Sequence, residues 1–489
     1  MAQAFFPVRP FWNDEWRLIY NIKFKTIPEL WGRLDLLQEC PRVYLSILKY
    51  IGAAFDYSYT SLRLPPLLLT LANIFFVFRL RKMLYPDNAV LSYLFVLILI
   101  SSQTFTDYMT QVKHYEMDIF LCLLVLWQLF VLLRIAREGL RQQGTYALLL
   151  LTVLLFPYLG YIYPIAVAQV FPVMAVALWA RRQQENRRAV IVQVALPLVL
   201  AAISIFIFYQ IDVRNVIGNK DMYDSYQRAY YHTKPETFAG DFWNLFALVG
   251  SGFVFEIVFG VLGMAAFFYG IYRLVKTKWS QYTTLQYFHL YAILLLCGVI
   301  LLFATGKLVG GVARLTAYTV PSISMLLIAL LSDIKDKFGR ARLGWGMAAV
   351  LFLALFGNII STCINTFTYK DYQRQITTYR NTGKALKQAR MQKIPFMVSD
   401  GVGGKMQAEP AGGPGKIATN TITPDQVKGQ DDLAAEVIVK VHPAYKVWDT
   451  VAYFYMPDAK WIANYVGQLP PAYKAVIAGD GIRYHVYYK

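Results

Sequence analysis

The chain has 489 residues, 57% of them hydrophobic and only 16% charged, with 32 Phe, 35 Tyr and 10 Trp, a balance that excludes an ordinary soluble protein of this length. The net charge of +18 does not mark a nucleic-acid binder, because the basic residues sit in short loops between apolar runs and not in one patch interleaved with aromatics. Cys40, Cys122, Cys297 and Cys363 lie far apart, which excludes a disulfide framework and a zinc spacing, and residues 2–9 are too short for the apolar region of a signal peptide.

In chain order, the first feature is the acidic stretch Arg9 to Arg17, where Asp14 and Glu15 stand among Phe11, Trp12 and Trp16. Amphipathic rings favour the lipid headgroup zone, so the stretch predicts an outer loop that holds Asp14 as a carboxylate at a membrane surface. Two solvated charges would be the ordinary reading of an isolated Asp-Glu pair; the rest of the chain shifts the balance. Thr26 and Glu29 form a capping box, Pro28 suits a first turn, and Ile27, Leu30, Trp31, Leu34 and Leu37 recur at helical spacing. With Lys23, Lys25 and Arg33 nearby, this segment reads equally as a helix flat on the membrane or as one packed in a core. A second segment opens at Cys40-Pro41-Arg42 and runs to Phe55.

Ten apolar runs then approach the length of about 20 residues that a span needs: 63–80, 89–106, 117–136, 145–160, 163–180, 189–210, 251–272, 285–305, 314–332 and 343–362. Pro157 and Pro164 mark either a tight turn or kinks in the fourth and fifth. Alternate loops carry Arg79, Arg81 and Lys82; Arg134, Arg137 and Arg141; Arg181 to Arg188; Arg273 to Lys278; and Lys335 to Arg342. The opposite short loops carry only Lys113, Lys307 and Arg314, so the first set is expected on the cytoplasmic side. The Asp14 loop, the Asp107 to Glu116 loop, residues 211–250, the Gly306 to Ala313 loop and everything after Ser361 are then outside. Ten spans leave Met1 outside as well, so the expectation is ten spans, or eleven with one upstream of this sequence.

Beyond Asn365 the apolar runs shorten to strand length, at Pro395–Val398, Glu436–Val441, Lys474–Ile477 and Arg483–Tyr488. Helix-like stretches (Tyr372–Gln392, Trp448–Tyr455) and the Gly-rich segment Gly401–Gly415 lie between them. The expected fold is a polytopic α-helical membrane protein with a small C-terminal α/β domain outside. Its parts are residues 1–62, an outer loop with the acidic motif and amphipathic helices; 63–364, the transmembrane domain; and 365–489, the exoplasmic α/β domain.

Polar groups on the outer side converge. Lys113, His114, Glu116 and Asp118 cluster at the mouth of a span, and Lys307, Arg314 and Tyr318 follow in a later loop. Taken singly, such residues are more often snorkelling or capping groups. Together they provide acids and bases on one membrane face, the layout needed for chemistry on a lipid-linked phosphate.

The order of the Asp14-Glu15 pair, an amphipathic helix, Pro41-x-x-Tyr44-Leu45, Leu62-Arg-Leu-Pro65, Lys113-x-Tyr115-x-x-Asp118 and Arg314-x-x-x-Tyr318-x-x-Pro321 resembles the polyprenyl-phosphate-dependent C-type glycosyltransferases. Within them it is similar to the bacterial protein-mannosyltransferase-like group, over roughly residues 11–365; the span that this fold has before its acidic loop is missing here. The resemblance implies a glycosyltransferase of the bacterial inner membrane and cell envelope that works on the periplasmic face. A sugar would move, with inversion, from a polyprenyl-phosphate donor to an acceptor hydroxyl on a protein, a glycolipid or a polysaccharide. Asp14 would take the acceptor proton, with Glu15, Glu116 or Asp118 orienting the acceptor or holding Mg or Mn. Lys307 and Arg314, helped by Lys113 or His114 and by Tyr318, would bind the donor phosphate. A transporter or flippase of lipid-linked sugars, and a non-catalytic subunit of an envelope complex, are the readings from other classes. The first would be expected to show internal repeats and ionisable groups near mid-membrane, and Glu256 is the one acid well inside an expected span, near its outer end.

Overall fold

The computed structural model describes residues 13–34, 38–55, 57, 59–109, 111–181, 187–217, 235–305, 308, 313–338 and 353–361, and the strand residues 396–399, 438–441, 474–478 and 484–488. The chain divides into two compact units, one chiefly of residues 25–33 and 39–366, the other of 2–24, 34–38 and 367–489.

In the first unit, six described helices are long and apolar enough to cross a membrane: Ser61–Leu84, Tyr115–Glu138, Ile162–Ala180, Arg187–Val216, Phe253–Lys276 and Thr284–Ala304. Ala89–Ser101, Gln143–Leu159 and Ala317–Asp333 are shorter apolar helices, and of the last expected run, 343–362, residues 353–361 are described and helical. The chain is a polytopic helical membrane protein. Pro157 proves to belong to a turn, since Phe156–Leu159 is a 3₁₀ segment and Gly160 separates it from the next helix, Ile162–Ala168.

Tyr115–Glu138 is the hub of this unit: 78% of its apolar window is buried, against 28% for Arg187–Val216. Apolar contact gives helices little drive to associate inside lipid, so close packing and interhelical hydrogen bonds must hold them. Gln128 does both, donating to Thr152 Oγ1 at 3.1 Å and accepting from the Tyr163 hydroxyl at 3.0 Å, which ties three helices together. Asn358 joins three more segments, donating to the carbonyls of Ser101 and Val249 at 2.9 Å each and accepting from the Ser251 N–H at 2.6 Å.

Ahead of the spans, the Glu29 carboxylate accepts from the Thr26 N–H at 2.7 Å, as the capping box predicts, and also from the Thr26 hydroxyl at 2.8 Å. The helix it starts is only Ile27–Trp31, because Gly32 follows and leaves helical geometry, so the apolar spacing through Leu34 does not continue as helix. The next helix, Arg42–Ala54, buries Tyr44, Leu45, Leu48 and Gly52 and exposes Ile47 and Tyr50. Apolar on both sides, it suits a position between protein and lipid.

In the second unit, the acidic stretch departs from the expected loop. Asn13–Phe24 is a helix, and Glu15, Leu18, Ile19 and Ile22 are buried at the i, i+3, i+4, i+7 spacing of one helical face. The four strands β1 Phe396–Ser399, β2 Ile438–Val441, β3 Lys474–Ala478 and β4 Tyr484–Tyr488 form one sheet in the order β1-β2-β4-β3. β1 pairs antiparallel with β2 (Phe396 opposite Val441), β2 parallel with β4 (Ile438 opposite His485), and β3 antiparallel with β4 (Val476 opposite Val486). The expected helices Tyr372–Gln392 and Trp448–Tyr455 and the Gly-rich segment lie outside the described residues.

Candidate functional site

Two helices, a loop and two turns of the first unit assemble a polar cluster at one end of the bundle. Lys113 and His114 immediately precede the hub helix, whose first turn carries Glu116 and Asp118. An acid in the first turn is favoured by the partial positive charge of the unpaired N–H groups there. Three of these four residues are buried, Lys113 to 5%, Asp118 to 5% and Glu116 to 0% exposure.

His114 is the pivot. Its Nδ1 lies 3.4 Å from Cys40 Sγ, and its Nε2 lies 3.6 Å from Asp118 Oδ2. Burial, with the neighbouring Lys113 charge adding to it, pulls the imidazole down to about 3. The ring is therefore neutral near pH 7, and its approach to Asp118 is dipolar, not ionic. Burial pushes the Cys40 thiol up, so Cys40 remains an S–H that can donate to Nδ1 and leave Nε2–H turned to Asp118. Asp118 Oδ1 is buried with no hydrogen-bond partner among the described residues. It faces Gly160, where a Cβ would stand 2.8 Å from it.

Beside this group lies an ion cluster. Arg42 opens its helix, and its backbone N–H donates to Asp212 Oδ2 at 2.9 Å. The Arg42 guanidinium donates to Glu39 Oε2 at 3.0 Å and to the Cys40 carbonyl at 2.9 Å, with Nε 3.8 Å from Asp212 Oδ1. The Tyr161 hydroxyl donates to Asp212 Oδ1 at 3.0 Å, and its ring meets His114 edge-on at 5.9 Å between centroids. Burial works against the Arg42 charge, but Tyr161, Glu39 and Asp212 together hold the guanidinium above its usual value. Asp212 reaches the cluster from a π-helical turn, Tyr209–Val213, at the end of its span; such turns widen a helix by one residue and often mark functional sites. Tyr44 donates to the Lys113 carbonyl at 3.0 Å and pins that loop.

Of the residues expected from sequence, Lys113, His114, Glu116 and Asp118 are thus contiguous. Tyr318 lies on the 3₁₀ turn Ala317–Thr319, which packs on the hub helix, and it is within electrostatic range of Asp118. Its buried hydroxyl has no hydrogen-bond partner among the described residues. Arg314, partly buried, is on the preceding turn Ala313–Leu315, which packs on the helix Gln103–Tyr108. Glu116 is engaged elsewhere: Asn73 Nδ2 donates to its Oε2 at 2.9 Å and to its carbonyl at 3.0 Å, which fastens the hub helix to Tyr59–Leu84. Glu15 is buried in the second unit, where Asp14 lies in the first turn of the same helix; Lys307 lies outside the described residues. No group of three or more His, Cys, Asp or Glu among the described residues is arranged to hold a metal ion. Glu39, Cys40, Arg42, Tyr161 and Asp212 are the members that sequence reading missed; Asp212, an acid just past the end of a long apolar run, was the available signal.

A buried, hydrogen-bonded set of acids and bases at the end of a helical bundle defines the class as a membrane protein with a polar site. No family model matches the chain, and no curated protein matches it. Among solved structures, the Archaeoglobus fulgidus oligosaccharyltransferase in complex with Zn and sulfate is similar at a TM-score of 0.41 and 17% identity, over 73% of this chain and 50% of that one. The chain spans about half the length of that protein.

Proposed function

We propose that the chain is a membrane glycosyltransferase that moves a sugar from a polyprenyl-phosphate donor to an acceptor hydroxyl on the exoplasmic face of the membrane, with inversion at the anomeric carbon. What supports this reading, beyond the ordered motifs of the sequence, is the buried cluster around His114, with two open polar atoms, Asp118 Oδ1 and the Tyr318 hydroxyl, on residues within electrostatic range of each other. A buried polar group without a partner costs about 1–3 kcal/mol, and a substrate rich in hydroxyl and phosphate oxygens would satisfy both.

In this mechanism the acceptor oxygen attacks the anomeric carbon as the bond from that carbon to the phosphate oxygen breaks. The phosphate leaves with the electron pair, and cations offset its growing charge. Lys113 is the buried candidate for that role, with Arg314 and Lys307 as the further cations. The acceptor proton passes to a carboxylate, a role the sequence motif assigns to Asp14, with Glu15 beside it. Asp118 Oδ1 accepts a substrate hydroxyl, while the neutral His114 ring lies 3.6 Å from the other carboxylate oxygen. Glu116 acts through Asn73 as a positioning group. Mg or Mn, when bound, would need only one or two carboxylates together with the donor phosphate and would offset charge on that phosphate; no step is routed through it.

The test is transfer of radiolabelled sugar from polyprenyl phosphate by purified protein in nanodiscs. Lys113→Ala is expected to lower kcat by about 10²–10³, the usual loss when one charge-stabilising group is removed, and Asp118→Asn to raise KM for the acceptor. Equal transfer by wild type and Asp14→Asn removes Asp14 from the mechanism. Absence of transfer with every donor, accompanied by movement of the intact lipid between leaflets, would replace the enzyme with a flippase.

A further inference from the structure

A cavity of about 180 Å³ opens at the far end of the hub helix from His114, where Tyr115–Glu138 stops and Gln143–Leu155 begins. Its walls include Met83, Trp127, Phe130 and Leu140, while its mouth carries Arg134 and Arg141. Gly139 ends the hub helix at φ 70°, a left-handed value that glycine adopts without strain, and Arg141 follows two residues on. The two arginines converge on one carboxylate: Glu138 Oε2 lies 3.4 Å from Arg134 Nε and 3.6 Å from Arg141 Nη1. One acid between two bases leaves a surplus positive charge, and both guanidinium side chains remain open to solvent, at 45% and 65% exposure.

The surroundings of this mouth are those of a membrane boundary. Arg79, Arg81, Lys82 and Arg137 share this end of the bundle, and apolar Leu148 and Leu151 of the adjoining helix are half exposed. Apolar walls below a cationic rim match an amphiphile with its anionic group at the rim; a free anion would gain nothing from Trp127 and Phe130. We propose that this cavity binds the headgroup of an anionic phospholipid from the leaflet that meets the basic end of the bundle. Arg134 and Arg141 hold the phosphodiester, and the acyl chains leave along Leu148 and Leu151. By the positive-inside rule that leaflet is the cytoplasmic one. Glu138 competes with the lipid for the same two guanidinium groups. The assignment is independent of the proposed transferase reaction.

The experiment places the full chain in phosphatidylcholine nanodiscs and titrates in brominated phosphatidylglycerol, reading quenching of tryptophan fluorescence. Trp127→Phe isolates the signal of the cavity. Wild type is expected to quench at low lipid fraction and Trp127→Phe to lose that component. Arg134→Gln with Arg141→Gln should require roughly thirtyfold more lipid, since each basic side chain near a membrane contributes about 1 kcal/mol toward anionic lipid and about 1.4 kcal/mol is tenfold. Glu138→Gln should shift the curve the opposite way. Arg134, Arg141 and Glu138 are exposed, so their substitutions should leave the fold intact, and a thermal melt checks this. Equal quenching by brominated phosphatidylcholine, or an unchanged curve in the double variant, overturns the proposal. Reversal of quenching by millimolar glycerophosphate would reassign the cavity to a soluble anion and overturn it as well.

Discussion

Replacing Asp212 tests whether the ion cluster holds the interfacial helix Arg42–Ala54 against the bundle. Asp212→Leu removes an acceptor from the Arg42 N–H (2.9 Å) and from the Tyr161 hydroxyl (3.0 Å), together with one carboxylate of a guanidinium that has 0% exposure. Breaking a buried pair from one side costs about 3–5 kcal/mol. Glu39 and the Cys40 carbonyl still hold Arg42, at 3.0 and 2.9 Å, so the expected loss is near the lower end, about 3 kcal/mol. Adding Arg42→Met removes the guanidinium but also leaves Glu39 Oε2 and the Cys40 carbonyl without their donor, beside the two hydrogen bonds already lost with Asp212, each worth about 1 kcal/mol. Both substitutions break the same pair, so their losses should overlap and a double-mutant cycle should show a coupling energy of about 0.5–3 kcal/mol. Unfolding by SDS in bicelles measures each corner of the cycle. A loss below about 1 kcal/mol for Asp212→Leu, or additivity within about 0.5 kcal/mol, would refute the idea that this pair is energetically one unit.

Two further outcomes follow from the same region. His114 has its folded pKa near 3, below the ordinary 6.5, so unfolding takes up a proton and stability falls as pH drops from 6.5 toward 3, by up to about 1.4 kcal/mol per pH unit. His114→Gln should flatten that slope, and ring ¹⁵N shifts of labelled His114 should stay neutral from pH 8 to 5; a midpoint above 6 would contradict the burial argument. Gly160→Ala would drive a methyl into Leu121 Cδ1 and to 2.8 Å from Asp118 Oδ1. Overpacking of this kind costs about 1–3 kcal/mol, and sugar transfer should fall more than the melting temperature predicts; unaltered transfer would mean that Asp118 Oδ1 does not face substrate.

The spans were legible because apolar length is a local property: the run 251–272 became Phe253–Lys276, and 285–305 became Thr284–Ala304. The capping box was legible for the same reason, since Thr26 and Glu29 are three residues apart. The group Lys113, His114 and Asp118 could be found because it is contiguous. Its supporting shell could not, because Arg42 and Asp212 are 170 positions apart, and Arg42 by itself reads as one more base beside a proline. Cys40 looked inert for want of a second cysteine, while its partner is a histidine 74 residues on. The helix Asn13–Phe24 was missed because the aromatic density around Asp14 pointed to a loop, and its buried face appears only when Glu15 is counted with Leu18, Ile19 and Ile22.

The length of the span that carries Asp212 has its own consequence. Arg187–Val216 has 30 residues, about 45 Å at 1.5 Å per residue, while the hydrocarbon layer is about 30 Å thick. If Arg187 and Arg188 anchor one end at the opposite surface, an upright helix lifts Asp212 several ångströms clear of the acyl chains. The pair of Asp212 with Arg42 then stands outside the hydrocarbon, and thinner or thicker bilayers would raise or sink it like a float.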